Sequence, residues 1–512
     1  MMKRTLTKLT LTLAALSTLT LTACEDFLDV NDNPNKAVAV PADLRLPAAL
    51  VSTVNEETVA LNQLGALWGG YWGTTNEGAN LFTKEKAYSL VAITDGRDGI
   101  PFWENGYTTL LTYQLLRQEA EGTNSPNYAG IAKIMQGWHF LRLVDLYNNI
   151  PFDDALQGTV RLTPRYEDGQ QVYGKAVDLI TEGMQDIKNA PQTAPRPGPD
   201  DVVFQGNMTR WLKLANTVKL RALLRQSQAG TGAYVQAELA KIQAEGSGFL
   251  NAGESANVQP GYLVTAGKQN PFWEAYYRTA AGIVTANFTD LRPTEFILSE
   301  YQRLNDPRLA RLYARTSAGQ YRGVVFGAPA TSGTTFNRAN TSTFLGPREN
   351  NNLAGGLFKS AQQPSVLLSS MESLFLQAEA AERGWLATAT ARSLYEAAIR
   401  ESFLYLEVPA AAAAVATYLA QPTVRYDQAP NKLERLITQK WLALNSISSI
   451  EAWNDYRRLG FPAALPNSPQ APSPTARPLR LLYPETERTT NGPEVGKQGS
   501  LDGLTDKVWW DQ

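Results

Sequence analysis

The sequence predicts a mainly all-α fold, with tetratricopeptide-like helix pairs packed against an irregular, loop-rich face. The prediction rests on three observations. Apolar residues recur at three-to-four spacing through long stretches, strand-like alternation is scarce, and small residues recur where paired helices must approach closely.

The elements follow in chain order. Residues 127–150 carry Ile131, Ile134, Trp138, Leu141 and Val144 on one stripe. Residues 170–190 repeat the period with Val172, Ala176, Leu179, Ile180, Met184 and Ile187. Residues 207–229 open at Asn207 as a cap and turn Trp211, Leu214, Ala215, Val218 and Leu220 inward. Helices are also expected over 366–383, 388–403, 428–445 and 449–459. Within 376–399, Ala378, Ala381, Gly384, Ala391, Tyr395 and Ala398 fit the small-residue and aromatic positions of the ~34-residue tetratricopeptide unit. Strand-like pieces are expected only near 321–326 and 356–359. The segments 191–206, 254–272, 316–365 and 461–500 are rich in Pro, Gly, Asn and Ser, and loops of that length tend to carry function.

Composition excludes much chemistry. The chain has 512 residues and a formal net charge of −2, so it lacks the basic surplus that nucleic-acid binding requires. With one Cys and one His it holds neither a disulfide framework nor a zinc site of several thiolates or imidazoles. No metal site and no cofactor are expected. Phosphate-binding, dinucleotide-binding and nucleophile-elbow motifs are missing, so no catalytic residue is assigned and the chain reads as a non-enzyme. His139, beside Trp138 on an amphipathic helix, reads as a core or boundary histidine. A surface glycoside hydrolase using two carboxylates and a non-binding scaffold are the alternatives.

The first residues explain the lone Cys. Lys3, Arg4 and Lys8 precede an apolar run over 9–23 that is too short to span a bilayer, which marks a secretory signal over 1–23. The signal ends in Leu21-Thr22-Ala23-Cys24, a run that resembles the lipobox of bacterial lipoproteins, and the resemblance implies Cys24 as the lipidation site, carrying acyl chains such as palmitate. The rest, 24–512, is expected to be one body. It divides into an acidic tether (24–40), helices with long loops (41–365), tetratricopeptide-like helices (366–460) and a loop-rich end (461–512).

Aromatic clusters on Gly- and Asn-rich ground point to ligand binding. Leu67-Trp68-Gly69-Gly70-Tyr71-Trp72-Gly73 has few apolar neighbours, yet a planar ring stacks well on a sugar or a peptide group. Asn270-Pro271-Phe272-Trp273-Glu274-Ala275-Tyr276-Tyr277 has the same mixture, and Pro101-Phe102-Trp103 forms a third cluster. Trp68, Tyr71, Trp72, Trp273 and Tyr277 are the expected ligand-binding residues.

The chain also resembles the SusD/RagB family of nutrient-binding outer-membrane lipoproteins of Bacteroidetes. The matching pieces are the lipobox with acidic Glu25 and Asp26 behind it, Gly206 to Arg221, and Asn305-Asp306-Pro307-Arg308-Leu309. Leu376 to Ala380, Gln439 to Leu444, Glu451 to Arg458, Arg480 to Pro484 and Lys507 to Asp511 continue the set to the chain's end. The resemblance implies a surface lipoprotein, anchored to the outer membrane through its lipid, that captures an oligosaccharide or peptide. It further implies that the protein acts as lid for a SusC-like TonB-dependent transporter, with loops 254–272 and 316–365 as candidate contacts. It transfers no ligand residue to a named position.

Overall fold

A computed structural model describes residues 40–78, 80–95, 99–329 and 335–512. The expected signal, the expected lipidation site Cys24 and all but the last residue of the expected acidic tether therefore lie outside the described residues. Ala42–Gln512 form one unit. Among the described residues, no helix is long and apolar enough to cross a membrane.

The first helix was not legible as one. α1 (Ala42–Glu56) runs through one π-helical turn (Glu57–Leu61) into α2 (Asn62–Trp68), making a nearly continuous rod. The short strand β1 (Trp72–Thr74) follows after a turn at Gly70, whose φ of +84° favours glycine. α3 (Phe102–Gly122), α4 (Pro126–Tyr147) and α5 (Gly169–Lys188) then pack in sequence. α4 is buried on every face from Asn127 to Tyr147, so it is the central pillar and not the one-sided helix its period suggests. Asp168 caps α5 by accepting from the backbone of Gln170 and Gln171, and Asn207 caps α6 (Met208–Arg225) by accepting from Arg210 N. α7 (Gly232–Glu245) closes a small satellite core of Leu220, Leu223, Leu239, Ile242 and Leu376.

The strands are real but misplaced in the sequence reading. β2 (Ala256–Val258) pairs antiparallel with β4 (Ser365–Leu368), and β1 pairs antiparallel with β3 (Leu291–Pro293) in the register Gly73↔Arg292. At 321–326 only a bridge from Val324 to Thr294 forms, and 356–359 is not a strand. The expected helix at 366–383 therefore starts later. β4 occupies its first residues and Ser369 caps α10 (Ser370–Glu382) through Glu372 N.

α10 and α11 (Ala391–Tyr405) form the expected tetratricopeptide-like pair. Ala378 and Ala398 are fully buried between them, Gly384 ends α10 at a φ of +71°, and Tyr395 donates to Val424 O at 2.7 Å. α12 (Ala411–Ala420), α13 (Lys432–Leu444) and α14 (Ser449–Leu459) complete the stack. α14 seats directly on α2, where a Cβ at Gly65 would lie 2.2 Å from Ile450 N. That glycine is a contact between helix backbones.

The core holds a buried ionic hub where these helices meet. Glu451 on α14 accepts from Arg142 Nη1 of α4 at 2.8 Å and Arg225 Nη2 of α6 at 2.6 Å, with Arg221 Nη1 at 3.5 Å. Arg142 also grips Glu57 in the π turn at 2.8 Å. A second knot joins Arg458 to Glu379 and Asp455, and Lys440 to Asp455 at 2.8 Å. Charges this deep are tolerable only when paired, since each costs several kcal/mol to desolvate. Arg457 is handled differently. It lies over the rings of Trp453 at 3.7 Å and Trp510 at 4.6 Å and donates to the carbonyls of Leu479 and Asp145.

His139 is a core residue. Its Nε2 lies 2.9 Å from Thr53 Oγ1, which also meets Tyr113 Oη, and burial pushes the imidazole down to about 3 with Arg142 adding to the shift. It stays neutral at physiological pH.

Candidate functional site

The aromatic stretch at the end of α2 divides at a single residue. Tyr71 and Trp72 are fully buried. Tyr71 donates to Trp441 O at 2.6 Å and stacks on that indole, while Trp72 Nε1 donates to Ser446 Oγ and its ring meets Tyr276 edge-on. Both ring faces belong to the core, contrary to the expectation that they meet a ligand. The glycines around them leave room for distant side chains, Leu465 and Phe296 against Gly70 and Val324 against Gly73, and these supply the packing that the local sequence lacks.

Tyr277 is also a core residue. Its ring stacks on Phe358 at 5.0 Å and lies under Gly346, and its hydroxyl donates to Glu349 and accepts from Arg348 N. Trp273, on the short helix α8 (Pro271–Tyr276), is half-buried and packs edge-on against Tyr277. Trp103 of the third cluster is enclosed by Tyr107, Tyr147, Tyr166 and Tyr483.

Trp68 is also buried, at 5% exposure, but it lines a cavity of 390 Å³. That volume is at the small end of the roughly 300–1,000 Å³ range of small-molecule sites. The fold builds the cavity in steps. Pairing of β1 with β3 brings Thr294 to Gly70, where its hydroxyl donates to Gly70 O and its backbone N–H donates to Tyr71 O. The same hydroxyl accepts from Ile297 N and caps α9 (Glu295–Arg303), so the first turn of α9 presents Phe296 and Ser299 to the end of α2. Glu295 N donates to Val324 O, which carries Val325 and Phe326 to the next wall.

Tyr88 closes the remaining side. Its backbone adopts φ of +54°, a left-handed conformation costing roughly 1–2 kcal/mol for a non-glycine residue. Its hydroxyl donates to Asn467 Oδ1 and accepts from Ser468 N, and burial raises its pKa, so it stays a neutral phenol. Trp68 and Tyr88 meet edge-on at 6.4 Å, Tyr88 and Phe326 lie 6.4 Å apart, and Phe296 packs on Trp441 at 5.4 Å. Trp68 Nε1 is held by Glu85 O, which fixes the ring.

Four aromatic walls with Glu295 and Ser299 exposed at the rim suit a flat, uncharged ring held by stacking, with hydrogen bonds at one edge. Among the described residues there is no group of three or more His, Cys, Asp or Glu able to hold a metal. Tyr88, Phe296 and Phe326 were missed by sequence reasoning. Each is a lone aromatic in its own segment, and only the β1–β3 pairing and the Val324 bridge bring them to Trp68.

Comparison with known proteins follows the same lines. A SusD-like family model described as "Starch-binding associating with outer membrane" matches residues 34–484. Among solved structures, a SusD homologue from Bacteroides fragilis superposes with a TM-score of 0.74 at 22% identity, covering 92% of this chain and 99% of that one. A chitin-binding SusD homologue from Flavobacterium johnsoniae gives 0.73 at 23% identity, over 91% and 98% of the two chains. A second Bacteroides fragilis homologue gives 0.75 at 19% identity, over 92% and 100%. No curated protein matches the chain by sequence.

Proposed function

This chain belongs to the SusD-like family of outer-membrane-associated starch-binding proteins, and from that premise we propose that it is a non-catalytic surface lipoprotein that captures neutral oligosaccharides. The observation that carries the ligand class is the aromatic cavity at Trp68. Its walls are rings, and its rim offers a hydroxyl and a carboxylate for sugar hydroxyls. The chitin-binding relative supports a glycan over a peptide. Half-buried Trp273 is a second stacking surface. The expected partner is a SusC-like TonB-dependent transporter, on which the protein closes as a lid when ligand contacts favour the closed state.

Phe296→Ala tests the cavity. Phe296 is half-buried on α9, so its loss opens a wall without emptying the core. In fluorescence titration with maltoheptaose and chitohexaose, binding should weaken by about tenfold or more, on the order of 1.4 kcal/mol, while the melting temperature stays within a few degrees. Unchanged affinity for both sugars in a folded variant would remove the cavity from the ligand site.

The lipid anchor has its own test. Cells fed an alkyne-tagged palmitate should label the wild-type protein and not Cys24→Ala, because the acyl chains are proposed to sit on that residue alone. Equal labelling of the variant would refute Cys24 as the lipidation site.

A further inference from the structure

A larger cleft of 650 Å³ opens between α1 and the loop that leads into α8, away from the aromatic cavity. It is reached from the middle of the α1–α2 rod, whereas Trp68 stands at the rod's end. At ~1.5 Å rise per residue, Asn55 and Trp68 are about 20 Å apart along the axis. We propose that this cleft is a second binding site, specific for an uncharged saccharide unit.

The cleft's construction supports this. One wall is α1, which presents Ser52 and Asn55 at the surface with Val51 and Val59 beside them. The opposite wall carries Tyr262 and Gln269. The loop between them turns at Gly261 and Gly267, with φ of +84° and +70°, and is closed by Leu263 N donating to Lys268 O. This wall is held in place before any ligand arrives. Tyr262 Oη pairs with Ser365 Oγ at 2.9 Å, Asn270 Nδ2 donates to Gln363 O and Ser365 Oγ, and Gln362 Nε2 donates to Tyr262 O. A wall fixed in advance loses little ordering entropy on binding.

The lining also selects the ligand. Gln269 is 4% exposed, yet its Oε1 has no hydrogen-bond partner in the protein. A buried acceptor left unpaired is costly, and a turn of the Gln269 amide toward the cleft would let a ligand hydroxyl or acetamido N–H supply the donor it lacks. Asn55 adds an amide with both donor and acceptor capacity at the mouth. Lys268 and Glu274 carry opposite charges, so the lining has no net charge to favour an ion. A ring with apolar faces and donor groups at its edges meets these conditions, with Tyr262 and the flanking Pro260 and Pro271 against its faces.

The site is additional to the cavity at Trp68 and does not depend on it, so the two are separable by variant. Isothermal titration of the purified protein with maltoheptaose and with chitohexaose should show two sites per chain for at least one of them. Asn55→Trp places an indole across the mouth from an exposed helix position and should weaken one of those sites at least tenfold. Gln269→Leu should do the same, and Phe296→Ala should leave that site intact. A single site per chain with Asn55→Trp titrating like the wild type overturns the proposal while leaving the Trp68 cavity standing. Loss of binding in Asn55→Trp with none in Phe296→Ala supports the cleft and removes the cavity. Binding of neither sugar, or occupation of the cleft by a short peptide instead, overturns the saccharide assignment.

Discussion

Replacing Glu451 with glutamine is expected to remove about 3–5 kcal/mol of folding stability. The change keeps the side chain's size and hydrogen-bonding reach, so the loss is electrostatic. Glu451 is 1% exposed and faces Arg142, Arg225 and Arg221. Without its charge, Arg225 keeps only Asp145 at 3.3 Å, Arg221 keeps Glu372 at 3.3 Å, and Arg142 keeps Glu57. Each arginine is then left with a single carboxylate, and those of Arg225 and Arg221 stand at 3.3 Å, so the buried guanidinium charge is compensated less closely than before. Urea unfolding of the two proteins measures the difference directly. A loss under about 1 kcal/mol, the scale of a surface pair, would show that the remaining carboxylates are sufficient.

Acid should unfold the protein through the same hub. Burial alone would raise the Glu451 carboxyl, yet Arg225, Arg221 and Arg142 together hold it well below the ordinary carboxylate range. Burial likewise opposes, and Lys440 and Arg458 overcome, at Asp455; Arg458 does the same at Glu379. A depressed folded-state pKa stabilises above the unfolded value, near 4.5 for Glu and 3.8 for Asp, and that contribution disappears as pH falls through the folded value. Glu372 has the opposite sign. Burial raises it against the pull of Arg221, so its contribution is present in acid and is lost as pH rises through its folded value. His139, held down to about 3 by burial, must charge in acid and adds to the loss, whereas Glu56, raised to about 8 by burial and by Glu57, opposes it. Between pH 6 and pH 3 the unfolding free energy should drop by roughly 3 kcal/mol or more, read from urea titrations followed by circular dichroism. Stability that is flat or rising over that interval would contradict the depressed carboxyls, and Glu451→Gln should flatten the slope.

Where apolar period was strong, the sequence was legible. α14 has the bounds its stripe predicts, 449–459, and the caps at Asn207 and Gly384 stand where composition put them. The rod of α1 and α2 was not legible, because Gly65, Gly69 and Gly70 look like loop residues. Gly65 is a helix residue that lets α14 seat backbone to backbone on α2. The glycines also misled the site reading at Tyr71 and Trp72, since packing supplied by rings far along the sequence, such as Trp441 and Tyr276, leaves no local trace. Burial of α4 on all faces was equally hidden, for its polar residues are absorbed by partners far along the chain, as Arg142 is by Glu57 and Glu451. Trp68 was nominated from its own neighbours and lines the cavity, whereas Tyr88, Phe296 and Phe326 reach it only through strand pairing that no local pattern encodes.

The hub also governs when the chain can fold. Glu451 is separated in sequence by 309 residues from Arg142 and by 226 from Arg225, and Arg458 lies beyond it. Until α14 has been made, Arg142 and Arg225 lack the carboxylate they share, although Arg142 already has Glu57. Closure of such long loops is also intrinsically slow. A chain cut before residue 449 would therefore leave Arg225 and Arg221 without the carboxylate that joins them to α4.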